Sequence, residues 1–270
     1  MQLTSFKEIT TTSRHIFLSP HIDDAVYCCG GTLAVQNSNG LRPLVITVFA
    51  GIPGQGLQLS PFAFEMHKEM NAGNLDAASL VTNRRKEDAS ALDYLHVDYL
   101  WLDYLDAIYR GNSGYYTRQE QLIGGEVHPA DMGIDRQLAQ DLVALHERLP
   151  DAVWYAPLGI GRHVDHQIVS SAADRLIQRG ANVKLYEDFP YVLQKGALEE
   201  RLNDLGGAFE PAYVEMSEML PARIEASALH TSQVELNFGS RAKLQKSMED
   251  YTHGIRPVQT VCLERYWIPG

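Results

Sequence analysis

The chain has 270 residues, of which 45% are hydrophobic and 21% are charged, so it is long enough to bury a sizeable core and too apolar for global disorder. Its formal net charge is −11, and its longest basic run is Arg84-Arg85-Lys86, so we expect no nucleic-acid partner. No segment approaches the roughly 18 uninterrupted apolar residues of a membrane span, and the N-terminus lacks the apolar stretch of a signal peptide.

The three cysteines are Cys28, Cys29 and Cys262. Adjacent cysteines rarely pair with each other, and an odd count argues against a disulfide framework. Reduced thiols are typical of the cytosol, so we predict a cytoplasmic protein.

Hydrophobic patterning predicts an alternation of strands and helices along most of the chain. Strands are expected at residues 15–19, 43–49, 97–102, 152–156, 183–187 and 258–267. Helices are expected from about Asp24 onwards and at residues 62–70, 82–95, 131–149, 163–179, 223–229 and 241–251, with Thr82 or Asn83 as the cap of the third. Residues 104–131 are expected to be irregular.

This alternation predicts an α/β fold, a Rossmann-like three-layer sandwich with a mostly parallel central sheet, and a single domain over residues 1–270. In such sheets ligands bind beyond the carboxyl ends of the strands. By that rule, residues 20–24, 51–80 and 158–166 lie at the same edge of the sheet, beyond the carboxyl ends of its strands; this edge is called the rim.

The first polar cluster of this rim is Pro20-His21-Ile22-Asp23-Asp24, directly after an apolar strand. His21 and Asp24 are three residues apart, so one tight turn aims both at one point, and imidazole plus carboxylate is a partial zinc site. Asp23 projects differently, where a general base for an activated water belongs. The alternative is that both aspartates only cap the following helix.

The second cluster is His163-Val164-Asp165-His166, at the expected start of a helix. Either histidine could complete a zinc site with His21 and Asp24, since a catalytic zinc keeps three protein ligands and one open position. The other histidine, oriented by Asp165, is then free to polarise a carbonyl or to protonate a leaving amine. The alternative is a polar helix start on the surface.

Together the two clusters resemble the motifs of the LmbE-like, or PIG-L, family of zinc-dependent sugar N-deacetylases. The family pattern (P/A)HPDDE corresponds to PHIDDA here, a following CGG to Cys29-Gly30-Gly31, and HPDH to His163-Val164-Asp165-His166. Three positions depart from the pattern: Ala25 replaces a glutamate, and Ile22 and Val164 replace prolines. The C-terminal part from about residue 190 carries the weakest resemblance.

The resemblance implies a role for each matching residue. It makes His21, Asp24 and His166 the zinc ligands and Asp23 the general base. It makes a protonated His163 the oxyanion stabiliser, with Asp165 as its orienting partner. An arginine of the helix after the second strand is implied to contact substrate, and we assign it to Arg85, with Arg84 as the competing candidate.

The expected reaction is therefore zinc-dependent hydrolysis of an N-acetyl amide on a sugar-containing small molecule, giving acetate and a free amine. Other divalent metals suit the same ligands. Asp106 follows the third strand and is a candidate for binding sugar hydroxyls, although a turn role is also open. The partner is an N-acetylated sugar, and a homo-oligomer is left open.

Three alternatives remain at this stage. The same fold could cleave a larger acyl group or a thiol–sugar conjugate, or it could be a non-catalytic binding protein. A dinucleotide-binding oxidoreductase needs G-x-G-x-x-G in the first strand-to-helix turn, where this chain has His-Ile-Asp-Asp. Two carboxylates there would repel a pyrophosphate, so this alternative is disfavoured.

Overall fold

The structure is a computed structural model that describes residues 1–70, 76–111, 114–255 and 260–270. Its strands are β1 Gln2–Leu3, β2 His15–Ser19, β3 Leu44–Thr47, β4 Asp98–Trp101, β5 Val153–Pro157, β6 Asn182–Tyr186, β7 Phe209–Glu215 and β8 Leu263–Pro269. Its α-helices are α1 Asp24–Ser38, α2 Pro61–Glu69, α3 Ala77–Tyr94, α4 Gln119–Leu122, α5 Met132–Arg148, α6 Val164–Gln178, α7 Ala197–Leu205, α8 Leu220–Ala228, α9 Thr231–Phe238 and α10 Arg241–Gly254.

Within the described ranges, the strands form one sheet in the order β1-β4-β3-β2-β5-β6-β8-β7. The strands from β1 to β6 pair in parallel, whereas β8 pairs antiparallel with both β6 and β7. The predicted mostly parallel sheet is confirmed. Its central strands are buried on both faces, which explains why they read as continuous apolar runs in the sequence.

Helices cover both faces of this sheet. On one face, Ile16 and Trp154 pack in a core with Leu142 of α5 and Ile168 of α6. On the other face, a second core joins Phe17 and Val45 of the sheet to residues of α1, α3, α8 and α10. The side chains of successive strand residues point to opposite faces, so one strand serves both cores. The predicted three-layer sandwich is confirmed.

The order of the strands creates a crevice beside β2. The chain runs from β2 outward through β3 on one side and returns to β5 on the other, so the loops after β2 and β5 diverge above the sheet. Crevices of this kind, at the carboxyl ends of parallel strands, are where open α/β sheets bind ligands.

Some elements differ from the sequence expectation. Helix α3 begins at Ala77 with Asp76 as its cap, so the predicted start at Thr82 or Asn83 was wrong. The Asp76 carboxylate accepts the Ser79 N–H at 2.9 Å, and aspartate is a strong helix cap. The short helix α4 lies in a segment predicted to be irregular, and β1, β7, α7 and α9 were not predicted. Residues 258–259 of the expected last strand fall outside the described residues.

The glycine pair of α1 lets the helix approach the C-terminal part of the chain. A Cβ on Gly31 would lie 2.6 Å from Met216 Sδ and 2.8 Å from Glu264 Oε1, and one on Gly30 would lie 3.0 Å from Arg223 Cγ. Close packing therefore explains both glycines despite their cost within a helix. Separately, no helix within the described ranges has the length and the hydropathy of a bilayer crossing.

Candidate active site and metal centre

The loop after β2 is closed by hydrogen bonds of its own residues. Ser19 Oγ donates to the His21 carbonyl at 2.7 Å and accepts the Ala25 N–H at 2.9 Å. The His21 N–H donates to Asp24 Oδ2 at 2.7 Å, and α1 starts at Asp24. Short polar side chains that bind nearby backbone groups favour such turns over continued strand. The turn brings His21, Asp23 and Asp24 together above the sheet.

The loop after β5 is positioned by a carboxylate from the neighbouring strand. Asp188 follows β6, and its Oδ2 accepts the N–H groups of Gly159 and Ile160 at 2.7 and 2.8 Å. Gly161 has φ of 81° and lies against the Tyr191 ring, where a side chain would clash. The loop ends at His163, which is the N-cap residue of α6.

The two loops bring three of the predicted ligands together. Asp24 Oδ2 lies 3.4 Å from His21 Nδ1 and 3.3 Å from His166 Nε2, and all three side chains are buried. Donors bound at about 2.0–2.1 Å to a tetrahedral ion are roughly 3.3–3.4 Å apart. The two distances to Asp24 Oδ2 match that spacing.

The outward-facing nitrogens of both histidines are held by carboxylates. His166 Nδ1 lies 2.7 Å from Asp188 Oδ1, and His21 Nε2 lies 3.0 Å from Asp165 Oδ2. Metal-bound histidines are oriented in this way, with the other ring nitrogen left for the ion. His166 Nε2 is buried and makes no hydrogen bond to the described residues, as suits a nitrogen that ligates a cation. These residues fit a divalent metal ion.

Two other groups of donors in the described chain also converge. One donor atom each from His21, His163 and His166 lie within 4.8 Å of one another, and so do donors from His21, Asp106 and Asp165. We favour the set containing Asp24, because its oxygen contacts both ring nitrogens and its negative charge offsets that of the cation.

Asp23 is buried beside this centre and shows no side-chain cap of α1. Burial and the neighbouring Asp24 charge raise its pKa to about 6. Arg84 Nη2 lies 3.8 Å from Asp23 Oδ1. A carboxyl with a pKa near the working pH both takes up and returns a proton readily, as a general base must.

His163 differs from the expectation in two ways. Burial and the nearby His21 lower its pKa well below the usual value, which favours the neutral ring. Its Nδ1 accepts the Asp165 backbone N–H at 3.2 Å, which leaves the ring proton on Nε2 as a donor. Both observations favour a neutral imidazole as the donor over the expected protonated His163.

The Asp165 carboxylate contacts the ring of His21 and not that of His163. It contacts His21 Nε2, lies 2.7 Å from Arg110 Nη1 and accepts the Ala107 N–H at 3.0 Å. Burial alone would raise its pKa, but the Arg110 guanidinium lowers that pKa well below the usual range. The prediction that Asp165 orients His163 is corrected accordingly: only its backbone does so.

The arginine assignment is also corrected. Arg84 is buried in the cavity wall between Asp23 and Asp106, 3.8 Å and 3.9 Å away respectively. Arg85 instead donates to the Ala50 carbonyl at 2.7 Å and to Asp103 at 3.0 Å, and it is not among the cavity-lining residues. The side chains of neighbouring helix residues point about 100° apart around the helix axis, so Arg84 and Arg85 leave α3 in different directions.

Asp106 lies where the sequence suggested a sugar contact. One carboxylate oxygen accepts the Ile108 N–H at 3.1 Å, which is the turn role, while the other lies 3.9 Å from His21 Nε2 and from Arg84 Nη1. The side chain thus caps a short helical turn and lines the cavity at the same time.

The cavity above the metal centre has a volume of about 360 Å³. Sequence reasoning missed several of its lining residues, notably Tyr191, Gln233 and Asn237. Gln233 and Asn237 are four residues apart on α9 and so share one face. That spacing is a weak signal, since a sequence does not show what a helix face meets. The rest of the lining includes Tyr27, Met66, Glu69, Met70, Ile108, Gln119, Leu122, Ile123, Phe189, Pro190 and Leu236.

Comparison with known families matches residues 16–177 to the model described as GlcNAc-PI de-N-acetylase, or PIG-L. The matched segment contains both loops of the metal centre and ends within α6. It therefore covers the residues whose geometry is described above, and it stops before the C-terminal walls of the cavity.

Two relatives are deacetylases of an N-acetylated compound. The 2'-N-acetylparomamine deacetylase of Niallia circulans is 31% identical over 186 residues, which cover 65% of this chain and 66% of that protein. The enzyme of the same name from Streptomyces fradiae is 26% identical over 239 residues, which cover 86% of this chain and 77% of that protein.

A solved structure, the zinc inhibited form of teicoplanin deacetylase Orf2, superposes with a TM-score of 0.78 and 29% sequence identity. The superposition covers 94% of this chain and 97% of that one. The likeness therefore extends to the C-terminal part, which the family model does not reach.

Proposed function

The chain belongs to the GlcNAc-PI de-N-acetylase family, and we propose that it hydrolyses the N-acetyl amide of a sugar-containing small molecule, releasing acetate and a free amine. The observation that carries this proposal is the buried group of His21, Asp24 and His166, of which His21 and Asp24 line the floor of the cavity together with Asp23. The relatives' names, which refer to N-acetylparomamine and teicoplanin, support an amino-sugar substrate.

The metal of this proposal is zinc, held by His21 Nδ1, Asp24 Oδ2 and His166 Nε2. Two imidazoles and one carboxylate are a ligand set that catalytic zinc uses, and they leave a position open. When bound, the ion supplies Lewis-acid chemistry: it polarises the amide carbonyl and lowers the pKa of water. The ligands also accept other divalent ions, so the identity of the metal is tested below.

The protein's own groups move the protons. Asp23 accepts a proton from the attacking water as the new C–O bond forms to the amide carbon. The carbonyl oxygen gains negative charge, and the neutral His163 Nε2–H donates a hydrogen bond to it. As the C–N bond breaks, Asp23 returns its proton to the leaving nitrogen, which gives the amine. The second proton of the water stays on the acetic acid, which ionises on release to give acetate.

Substrate hydroxyls bind on the walls above this floor. Arg84 and Asp106 offer a guanidinium and a carboxylate, and Gln233 and Asn237 add amide groups to the same lining. Groups of both donor and acceptor type suit a sugar ring. Arg85 holds the loop that carries Ala50 and takes no part in binding.

The decisive experiment measures acetate release from a panel of N-acetylated amino sugars and their conjugates, with longer N-acyl analogues as a second arm. We expect turnover that a chelator abolishes and that one equivalent of zinc restores. Zinc is then titrated in excess, because one structural relative is described as zinc inhibited. Acetate release by demonstrably metal-free protein would contradict the metal site, and selective release of longer acyl groups would replace acetyl as the leaving group.

Two further expectations stay predictions, a cytoplasmic location and a single domain over residues 1–270, and the oligomeric state stays open. The cysteines bear on the first of these. Cys28, Cys29 and Cys262 are all free in the structure, as a reducing compartment favours. Cell fractionation tests the location, and light scattering tests the oligomer.

A further inference from the structure

A second surface depression adjoins the cavity that contains the candidate active site. A second trough of about 300 Å³ lies on the far side of Pro190 and Asn237, and these two residues line both spaces. The trough is bounded by the segment after β6 and by helices α9 and α10. Its other lining residues are Leu193, Phe238, Lys243, Lys246, Ser247 and Asp250.

The shared rim is held firmly in place. On one side, the Phe189 N–H next to Pro190 donates to Cys28 Sγ at 3.2 Å. On the other side, α9 is tied to α3 where the Ser232 N–H donates to Glu87 at 2.9 Å. A ligand that spans the rim therefore meets a preorganised surface, which lowers the entropy cost of binding.

The trough combines apolar surface with positive charge. Leu193 is 44% exposed, a large fraction for leucine, and it lies near Phe238 and Pro190. Lys246 is neutralised by Asp250, with Nζ 2.7 Å from Oδ2. Lys243 forms no ion pair with any residue in the described part of the chain. It is an uncompensated cation in a chain of net charge −11.

We propose that this trough is a second subsite, which binds the part of the substrate attached to the N-acetylated sugar, and that this part has an apolar face and an acidic substituent. The proposal rests on the proposed function, because it names the substrate class of the same site. The apolar face covers Leu193 and Phe238, and the acidic group pairs with Lys243. The two spaces adjoin at Pro190 and Asn237, so a ligand that crosses these residues reaches both.

The test compares three probes: free N-acetylglucosamine, its 4-nitrophenyl glycosides and its 4-carboxyphenyl glycosides, each glycoside as both anomers. We expect kcat/KM to rise at least about tenfold from the free sugar to the better carboxyphenyl anomer, with part of the gain from the aryl ring and part from the carboxylate. Added salt should weaken only the carboxylate part, because a partly exposed ion pair is screened.

Matched variants separate the two parts. Lys243→Glu should remove the preference for carboxyphenyl over nitrophenyl, whereas Lys7→Glu, at an exposed lysine on another part of the surface, should keep it. Leu193→Ala should lower the gain from the aryl ring severalfold. Leu41→Ala is its control, because Leu41 is also 44% exposed but lies outside the trough.

Binding to the Asp23→Asn variant is measured by calorimetry with the same probes, so the result does not depend on turnover. Equal dissociation constants for the three probes, or equal effects in both members of each matched pair, would overturn the second subsite. Absence of acetate release from every probe by the unaltered enzyme would contradict the proposed function, while the binding ratios still decide the subsite.

Discussion

The floor and the walls of the cavity are built in different ways. The floor is carried by loops at the ends of β2 and β5, which are adjacent parallel strands. The walls come mainly from two stretches of the chain: residues 66–123, and the region after β6, where the sheet turns antiparallel, α8 packs on α1 and α3, and α9 and α10 pack on α8. The floor is positioned by backbone pairing, and the walls by contacts between side chains of different helices.

Because of this difference, we expect the floor to carry the catalytic chemistry and the walls to determine substrate selectivity. Each metal-centre residue lies within a few positions of a strand end, so its place depends on strand order and one short turn. The positions of Gln233 in the walls and of Lys243 in the adjoining trough depend on how whole helices pack against each other. We therefore expect substitutions in the floor to change metal content and turnover, and substitutions in the walls to change substrate range or stability.

The largest loss of activity is expected for substitutions of the residues at the floor of the cavity. His166→Ala removes a ligand whose ring nitrogen lies 3.3 Å from Asp24, so the protein should lose its metal and its acetate release should fall to background. His163→Ala should keep the metal and lower kcat by about 10²–10³-fold, the cost of one oxyanion donor. Elemental analysis with an acetate assay tests both variants.

The His163→Ala variant also separates the two candidate ligand sets. Loss of the metal from this variant would favour the set of His21, His163 and His166 over the set that contains Asp24.

Asp23→Asn is expected to keep the metal and the fold but lower kcat by about 10²–10⁴-fold, because an amide cannot accept the proton of water. The substitution nearly preserves shape, so KM should change little. Steady-state kinetics beside metal analysis provide the measurement. Turnover close to that of the unaltered enzyme would remove Asp23 from the role of base.

Asp188→Asn should weaken metal binding by about 10–100-fold, since it replaces the carboxylate that holds His166 Nδ1. The asparagine oxygen can still accept from the loop of Gly159 and Ile160, so the fold is expected to persist. Added metal should restore activity in this variant, which distinguishes lost affinity from lost structure. A metal dissociation constant equal to that of the unaltered enzyme would count against the role of Asp188.

Gly31→Ala tests the contact between α1 and the C-terminal region. The new methyl group would meet Met216 and Glu264 at less than 3 Å, so we expect the free energy of unfolding to fall by about 1–3 kcal/mol. Gly133→Ala is the matched control, because it lies in α5 with no atom within 4 Å of the added carbon. That change should be neutral or stabilise by up to about 1 kcal/mol. Denaturant titrations that show equal effects would refute the close approach.

The smallest effect concerns the pH dependence of stability at the junction of α8 and α9. Burial, together with the charge of Arg84, lowers the pKa of His230 to about 3. The unfolded chain therefore binds this proton at a higher pH than the folded one. The associated stability is complete above the unfolded pKa of about 6.5 and is lost as the pH falls towards 3.

His230→Leu should accordingly flatten the decline of stability between about pH 6 and pH 4, by up to about 1.4 kcal/mol per pH unit. The leucine also removes two ring nitrogens that make no hydrogen bond within the described chain. Chemical unfolding at a series of pH values measures the slope. An unchanged slope would mean that His230 is not the residue that takes up the proton.

The predictions from sequence held where the signal was local. The strand before His21, the parallel sheet and the crossing of helices over both faces followed from apolar runs and their alternation. Predictions failed where a boundary or a partner depended on one particular side chain. The start of α3 moved to Asp76, and the C-terminal elements β7, α7 and α9 were missed because their short, mixed patterns resemble loops.

The sequence by itself determined which chemical groups stand at the ends of neighbouring strands, because motif and strand end are contiguous in the chain. Only the tertiary structure decided that Arg84 rather than Arg85 faces the cavity, that the Asp165 carboxylate contacts His21, and that α9 and α10 bound a trough beside Pro190. Those outcomes depend on helix phase and on packing between segments far apart in sequence, which local patterns do not encode.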